Sequence, residues 1–517
     1  METLGWIAGG IGIVVVLVAI YDLVQTKHAI LRNFPVIGHF RYILESVGPE
    51  LRQYIVTDND EERPFSRDQR RWIYASSKKQ NNYFGFGSDN DFERSPYFII
   101  RHSSFPLGET RPGDADYDPI YQLPAAKVLG GARGRKKAFR PRSVVSISAM
   151  SYGSLSAPAI EALNRGCAIT HTLHNTGEGG ISPYHDQGGD LIFQLGTGYY
   201  GARTEDGNLC LDRLAEACEK YRVKAIELKM SQGAKPGLGG ILPAAKVTEE
   251  ISRIRGIPQG KDCLSPASHR AFGSVDAMLD RVEEIAERTG VPVGIKSAVG
   301  ELSFWEELAT AMAAGDRGVD FIAIDGGEGG TGAGPLVFTD HVALPFRQGF
   351  AQVYSIFARR DVASQVYWIG AGRLGLPERA LSAFALGCDS IAVAREAMLS
   401  IGCIQAQHCH TGHCPTGVAT QNKWLMRGLD PSSKSARLAN YLVILRKELK
   451  RLAGACGVEH PAFVGADRLT MLSEGLSEET WAERYGYESG WGIPSEAEKS
   501  ACLTDWRAFR EESPAHA

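Results

Sequence analysis

The chain is 517 residues long, enough to bury one large core or two smaller ones. Its formal net charge of −4 gives no reason to expect a nucleic-acid partner. Ten scattered cysteines are too few for a secreted disulfide scaffold and fit a reducing, cytosolic compartment, while 58 glycines suit a fold with many backbone-built loops.

Leu4 to Tyr21 (LGWIAGGIGIVVVLVAIY) is almost wholly apolar and carries no charge. With its flanks it reaches the ~20 residues that a membrane-spanning helix needs. A signal peptide is the rival, but no basic n-region precedes the run and no A-x-A site follows it. Lys27, His28, Arg32 and Arg41 come after it and only Glu2 before, so the positive-inside rule keeps the large C-terminal part in the cytoplasm. The expectation is a single-pass N-terminal membrane anchor over residues 1–25.

Residues 26–142 form an extension in this reading. RNFPVIGHFRYILESVGPELRQYIV predicts a turn followed by an amphipathic helix. The charge run from Glu61 to Arg71 reads as a solvated face. Gly130 to Arg142 (GGARGRKKAFRPR) reads as a linker, with proximity to acidic lipid or an acidic electron donor as the alternative.

From Ser143 a β/α rhythm sets in. Short apolar strands are expected near 145–149, 171–174, 191–195, 225–229, 293–297, 321–325, 366–370 and 390–394. Helical patterns lie between most of them, among them Ala157–Ile169, Leu211–Lys220, Val247–Ile254, Val275–Thr289 and Pro377–Leu386. Eight strands alternating with helices predict a closed (β/α)8 TIM barrel rather than an open sheet. A Rossmann reading would want G-x-G-x-x-G after the first strand, and that strand ends SAMSYGS instead.

Function in such a barrel sits at the C-terminal ends of the strands. Those ends are polar and rich in glycine: Ser148-Ala-Met-Ser-Tyr-Gly153 after strand one, Asn175-Thr-Gly-Glu-Gly-Gly180 after strand two, and Ser231-Gln-Gly-Ala-Lys-Pro-Gly237 after strand four. Strand five ends at Lys296 and strand six at Asp325-Gly-Gly-Glu-Gly-Gly-Thr-Gly332. Glycines let backbone approach a planar cofactor closely, and lysines supply cations for a carboxylate or an electron-rich ring. Trp368-Ile-Gly-Ala-Gly372 and Ile391-Ala-Val-Ala394 each hand over to a helix whose first N–H groups can meet a phosphate, although close packing also explains their small residues.

Cys403, Cys409 and Cys414 follow with the spacing C-x5-C-x4-C, and Pro415 comes next. Thiolates this close can converge on one iron–sulfur cluster, and three point to a 3Fe-4S type. A zinc site using His408, His410 or His413, or three unremarkable thiols, are the alternatives. After Gln421 the chain is helical and polar; Ser435–Leu452 carries a heptad-like apolar stripe fit to pack on the barrel, and little is legible beyond Gly475.

Several segments together carry a resemblance: SAMSYGSLS, NTGEGG, QGAKPG, DGGEGGTGAGP and above all GCIQAQHCHTGHCPTGVATQ. They resemble the synthase domain of the glutamate synthases, and more closely the stand-alone, membrane-anchored FMN-binding glutamate synthase family. RNFPVIGHFRYILESVGPELRQY and CLSPASHRAF are similar to that single-domain branch, so the likeness runs from about Arg32 to about Leu472. It implies FMN in the barrel mouth, held by Ser148, Ala149, Met150, Ser151, Thr176, Gln232, Lys296, Asp325, Gly326, Gly329, Gly330, Thr331, Gly370, Gly372, Arg373, Ala394 and Arg395. A 3Fe-4S cluster on Cys403, Cys409 and Cys414 is implied as well. So is 2-oxoglutarate beside Gln232, Lys235 and Arg255, with Glu178 near the reacting carbon and Lys296 near the pyrimidine side of the flavin.

The implied reaction is reductive amination of 2-oxoglutarate to L-glutamate, with electrons from an external ferredoxin-like donor or reductase. The expected layout is an anchor at 1–25, an extension at 26–142, the FMN-binding barrel with its cysteine loop at 143–425 and a helical extension at 426–517. Two departures from the family pattern stand out. Gly237-Leu-Gly-Gly-Ile-Leu-Pro243 has Leu238 and Ile241 where the family has polar residues, which opens the substrate to another 2-oxo acid, imine or amine. The loop after strand eight reads AVAR rather than Gly-x-Gly, leaving Arg395 to meet the phosphate. No amidotransferase or pyridine-nucleotide domain is expected, so ammonia would come free or from a separate amidotransferase. A non-catalytic anchored scaffold is the remaining alternative.

Overall fold

The computed structural model describes residues 2–25, 31, 34–51, 61–88, 90–92, 96–114, 117–473 and 477–512. Lys27, His28 and Arg32 of the expected basic flank lie outside these. The chain divides into two compact units, Met1–Arg71 and Trp72–Ala517.

In the first unit a helix covers Glu2–Val24, and its stretch Gly5–Val24 is long and apolar enough to cross a membrane. Asp22 near its end is fully buried, accepting from the Val36 N–H at 2.8 Å and from His39 Nε2 at 2.9 Å. The predicted turn and helix follow, the helix at Gly38–Leu51. In the charge run after Glu61, Glu61, Arg63, Arg67 and Arg71 face solvent as expected, whereas Arg70 turns inward to pair with Glu62, both side chains about nine-tenths buried.

The second unit is a closed parallel barrel. Its strands are β1 (Val145–Ile147), β2 (His174–Asn175), β3 (Leu191–Leu195), β4 (Val223–Lys229), β5 (Val293–Ser297), β6 (Phe321–Asp325), β7 (Tyr367–Ala371) and β8 (Ser390–Val393). Each pairs in parallel with the next, and β8 closes on β1 through Ile391 beside Val145. β2 is shorter than expected, because Thr172 and Leu173 run in as loop before His174 pairs with Ile147. The helices start where short polar side chains cap them. Ser156 accepts from the Ala159 N–H ahead of Ala157–Thr170, Thr248 from Ile251 ahead of Glu249–Arg255, and Ser274 from Ala277 ahead of Val275–Thr289. Two barrel helices the sequence left unassigned lie at Ser303–Ala314 and Phe346–Ala358.

Period-two alternation divides the barrel interior by height. Near the N-terminal ends of the strands, Leu173, Ile192, Ala225, Phe321, Ala323 and Ile369 form one apolar cluster closed from below by Ala125 and Leu129. Two residues further along, the same inward rows become polar at Asn175, Gln194, Glu227 and Asp325. Asn175 Nδ2 and Gln194 Nε2 both donate to Glu227 Oε1, at 2.8 and 2.7 Å.

The stretch from Gly130 to Arg142 is no linker. Leu129 bridges to Phe139, and Arg135 is clamped beneath the barrel by Asp320 and Glu283. Its Nε donates to both Asp320 oxygens at 2.9 Å, and Nη2 to Glu283 Oε1 at 2.9 Å. Arg140 and Arg142 reach the C-terminal helix Glu496–Glu511 and its end, pairing with Asp505 and Glu512. Residues 72–142 and 426–512 therefore belong to the same compact body as the barrel. The striped segment becomes the helix Pro431–Ala455, whose Leu438, Leu442, Leu445 and Leu449 are buried; its main neighbour is Ala157–Thr170.

Candidate active site

Two residues beyond Glu227 on the same inward row of β4, Lys229 ends the strand, and its Nζ donates to Glu178 Oε1 at 2.6 Å. Glu178 is wedged between glycines: a Cβ at Gly196 would lie 2.3 Å from its Oε2, and one at Gly240 2.6 Å from its Oε1. Burial opposes its ionisation, but Lys229, Arg255 and Lys235 outweigh that and hold the carboxyl below its usual range.

Lys235 is buried, with Nζ donating to the Ala333 carbonyl at 3.0 Å. Burial and the neighbouring Lys229 push its pKa down. Gln232 is half-buried in the same loop, its carbonyl accepting from the Lys235 N–H. Arg255, the last residue of its short helix, donates through Nη2 to the Tyr152 carbonyl at 3.1 Å and to Ser151 Oγ at 3.4 Å. Its Nη1 lies 3.6 Å from Cys263 Sγ, and its guanidinium sits 5.4 Å from the Tyr200 ring centre.

A second group forms across the mouth. Lys296 is buried 3.6 Å from Asp325 Oδ2 and 3.5 Å from Ser148 Oγ. Burial disfavours its charge, but Asp325 and Glu227 reverse that and raise its pKa. Asp325 also accepts from the Gly233 N–H at 3.0 Å. Gly233 has no room for a side chain, since a Cβ would meet the Gly326 carbonyl at 1.9 Å. The loops after β4 and β6 are thus backbone against backbone, and Gly329 donates back to Gly326 at 2.9 Å.

Of the other expected residues, Met150 and Ser151 are buried in the loop after β1, and Ala149 is half-buried. Thr176 Oγ1 accepts from the Gln194 N–H at 3.1 Å, and Thr331 Oγ1 donates to Ala333 at 3.2 Å. Gly370 and Gly372 pack on Phe346, and Gly330 packs on the Arg395 stem. Arg373 and Arg395 form a third group with Arg379. Burial and these two neighbours bring Arg373 down to about 10. Arg395 follows Ala394 at the start of the short helix Arg395–Ser400 and donates to the Glu328 carbonyl.

The cysteine loop is laced to the mouth rather than to open solvent. Lys246, buried, donates through Nζ to the carbonyls of Ser154, Cys409 and Ala419, at 3.2, 2.8 and 3.0 Å. Gln421 Nε2 donates to the Gly153 and Leu155 carbonyls at 3.2 and 2.9 Å. Cys414 is buried; burial disfavours its thiolate, but the Ala419, Thr416 and Val418 N–H groups and the Thr416 hydroxyl bring its pKa down. Cys403 and Cys409 are half-buried, with Cys403 Sγ accepting from the Gln405 N–H at 3.4 Å. Among the described residues no three His, Cys, Asp or Glu side chains are gathered to hold a metal ion, and His408, His410 and His413 are exposed.

The sequence reading missed Lys229, Glu227 and Lys246. The first two were within reach, because Ala225, Glu227 and Lys229 share one parity on a strand it had already placed. Lys246 carries no local signal, since its three partners come from distant segments.

This is a barrel of the kind that places an ionisable site at its mouth, and comparison says which kind. A family model described as the conserved region in glutamate synthase matches residues 130–459. The glutamate synthase large subunit-like protein YerD of Bacillus subtilis (strain 168) is 37% identical over 511 residues, covering 92% of this chain and 97% of its own. The chain belongs to the glutamate synthase family and is an oxidoreductase of that family. The archaeal glutamate synthase (NADPH) of Methanocaldococcus jannaschii is 34% identical over 342 residues, which is 65% of this chain and 63% of that one. A solved mandelate oxidase aligns with 84% of the chain at 13% identity and a TM-score of 0.42, too distant to bear on cofactor or substrate.

Proposed function

We propose that this protein reductively aminates 2-oxoglutarate to L-glutamate, using FMN in the barrel mouth and electrons from an external one-electron donor. The observation that carries the reading is the cation excess around Glu178. Lys229 neutralises that carboxylate, and Lys235 and Arg255 remain to meet the two carboxylates of a dicarboxylic 2-oxo acid. The overall reaction joins the 2-oxo acid, ammonium, two electrons and two protons into the amino acid and one water.

The mouth fits FMN on three counts. The Gly233–Gly326 contact lets backbone approach a flat ring, Lys296 offers a buried cation held by Asp325, and Arg373 with Arg395 offers charge for a phosphate. When bound there, a flavin supplies the conversion of single electrons into a two-electron reduction. Arg255 and Lys235 bind and orient the substrate, with Gln232 beside them. Glu178 and Lys229 hold a proton between Oε1 and Nζ near the reacting carbon. Lys246 and Gln421 fix the cysteine loop to the loop that holds Arg255.

By their spacing Cys403, Cys409 and Cys414 are the residues that would hold a 3Fe-4S cluster, although their side chains are not gathered around a common point in this structure. Ammonium would be free or delivered by a separate amidotransferase. The helix Glu2–Val24 would tether the enzyme to the membrane with its catalytic part in the cytoplasm.

The test is an anaerobic spectrum of the detergent-purified chain with flavin, iron and sulfide analysis, followed by glutamate formation from 2-oxoglutarate, ammonium and a reduced ferredoxin. Flavin bands and about three irons per chain are expected. Flavin without iron sinks the cluster, and loss of both sinks the redox reading. A fully loaded enzyme that makes no glutamate moves the substrate to another 2-oxo acid, imine or amine. The apolar Leu238, half-buried in the loop that carries Lys235, favours that second reading.

A further inference from the structure

We propose that the surface around the cysteine loop, residues 402–420, is the docking site of a small acidic protein that carries one electron at a time, which builds on the reading above that electrons arrive from an external one-electron donor. The start of the loop is pinned by Tyr74 Oη, which donates to the Cys403 carbonyl at 2.8 Å, while Asn440 Nδ2 donates to the Ser77 carbonyl at 3.0 Å. Lys78 and Lys79 follow at once, both exposed. Lys434 and Arg437, one turn apart on the helix Pro431–Ala455, stand beside them, and a Cβ at Gly402 would lie 3.3 Å from Lys434 Nζ. The end of the loop packs on the short helix Lys423–Met426, where a Cβ at Gly417 would meet the Leu425 carbonyl at 2.5 Å. That helix brings Lys423, Trp424 and then Arg427 to the surface.

These cations are unspent. The side chains of Lys78, Lys79, Lys423, Lys434 and Arg437 make no hydrogen bond or ion pair among the described residues. Asp430 is the carboxylate that acts on Lys434, and its Oδ2 already caps the long helix by accepting from the Ser433 N–H at 2.8 Å. Burial and the repulsion of Arg437 and Lys78 push Lys434 below the usual lysine range, against the pull of Asp430. The chain as a whole carries a net charge of −4, so this local excess runs against its average. Like charges gathered without counter-ions cost stability where they stand, and an anionic partner turns that cost into attraction and into faster encounter.

Trp424 supplies an anchor. It is 69% exposed, and the Arg427 guanidinium lies over its ring, 3.7 Å from the centre. A tryptophan left in solvent and propped by an arginine has the composition of a binding hot spot. Cys403 and Cys409 are half-buried between these groups, with His408, His410 and His413 exposed, so a partner seated here meets the sulfur-bearing loop itself. A lipid surface also attracts cations, but it calls for a row of apolar side chains in the same patch. Among the described residues Trp424 is the only large apolar side chain exposed beyond Val342, which favours a protein. Two dockings, one electron each, supply the two electrons that the proposed reaction consumes per amino acid formed.

The test is calorimetric titration of the full-length, cofactor-loaded protein in detergent with an oxidised 2Fe-2S ferredoxin, an acidic carrier, and with cytochrome c, a basic one. The ferredoxin is expected to bind with a Kd below about 100 µM at low salt and at least about tenfold more weakly at about 0.3 M salt, and the cytochrome is expected not to bind. The double variant Lys423→Glu, Arg437→Glu should weaken ferredoxin binding at least about tenfold, and Trp424→Ala about as much. In both variants flavin content, Tm and glutamate formation driven by reduced methyl viologen should stay unchanged, because so small a donor needs no docking surface. Failure of the parent protein to make glutamate even from methyl viologen tells against the proposed reaction alone, since the titration uses oxidised carrier and no substrate. Absence of saturable ferredoxin binding overturns the docking site. So does ferredoxin binding that both variants leave intact, or cytochrome binding as tight as that of ferredoxin. If phosphatidylglycerol added to the micelles binds instead, and the double variant loses it, the surface faces lipid and the proposal falls.

Discussion

At the floor of the barrel Arg135 faces two carboxylates, Asp320 and Glu283; at the mouth Glu178 faces Lys229, with Lys235 and Arg255 close enough to act on it. Both clusters are largely buried and both rest on the same set of strands. The floor cluster leaves no cation over, and the Val293 N–H at 2.7 Å and the Gly318 N–H at 3.1 Å satisfy the carboxylates further. The mouth cluster leaves two cations over. A buried cluster that closes on itself holds a fold, whereas one left electropositive is built for something that arrives from outside.

The comparison breaks most visibly at the floor. Arg135→Met removes the cation that Asp320 and Glu283 share as a hydrogen-bond donor, leaving Arg133 as the nearby charge. We expect a loss of about 3 kcal/mol, seen as an earlier denaturant midpoint, with catalysis by the surviving folded fraction unchanged. An equal loss from Arg255→Lys would erase the distinction. That variant keeps the charge but loses the fork, and the expected outcome is near-native stability with kcat/KM for the 2-oxo acid down about 10–100-fold.

The pH profile sharpens the contrast. Burial and Lys229 hold Lys235 below the ordinary lysine range, so its charge is lost at lower pH than that of a free lysine. Substrate affinity should therefore fall as pH rises through that lowered value, and Lys235→Arg should move the alkaline limb upward. A limb unmoved in that variant would remove Lys235 from the binding step. The smallest effect is expected at Ile241, 44% exposed on its two-residue strand, while the adjacent Leu242 is buried against the position of Gly153. Ile241→Gln should change stability by less than about 0.5 kcal/mol and leave KM within twofold.

The mouth was more legible than the floor. Lys296 and Asp325 sit at strand ends that hydrophobic alternation marks in the sequence, and Lys235 lies in a glycine-flanked loop that follows one of those strands. Lys229 was less legible, because it closes a strand whose glycine-rich loop signal, QGAKPG, begins only at Gln232. The floor escaped because Gly130 to Arg142 has a linker's composition, and the carboxylates that organise it lie 148 and 185 residues away. Local composition cannot report a partner at that distance. Cys403, Cys409 and Cys414 were legible as a spacing, but a spacing does not say how three sulfurs stand in space.

The closure of β8 on β1 sets a timetable for biosynthesis. Ser146 Oγ on β1 donates to the Ile391 carbonyl across 245 residues of chain. At ribosomal rates of about 5–20 residues per second, β1 waits roughly 10–50 s for that neighbour. Through that interval one of its edges is unpaired, and an unpaired edge invites mispairing between nascent chains. β1 is only three residues long, Val145–Ile147, so it offers little template while it waits. A short first strand is the safer one to leave exposed.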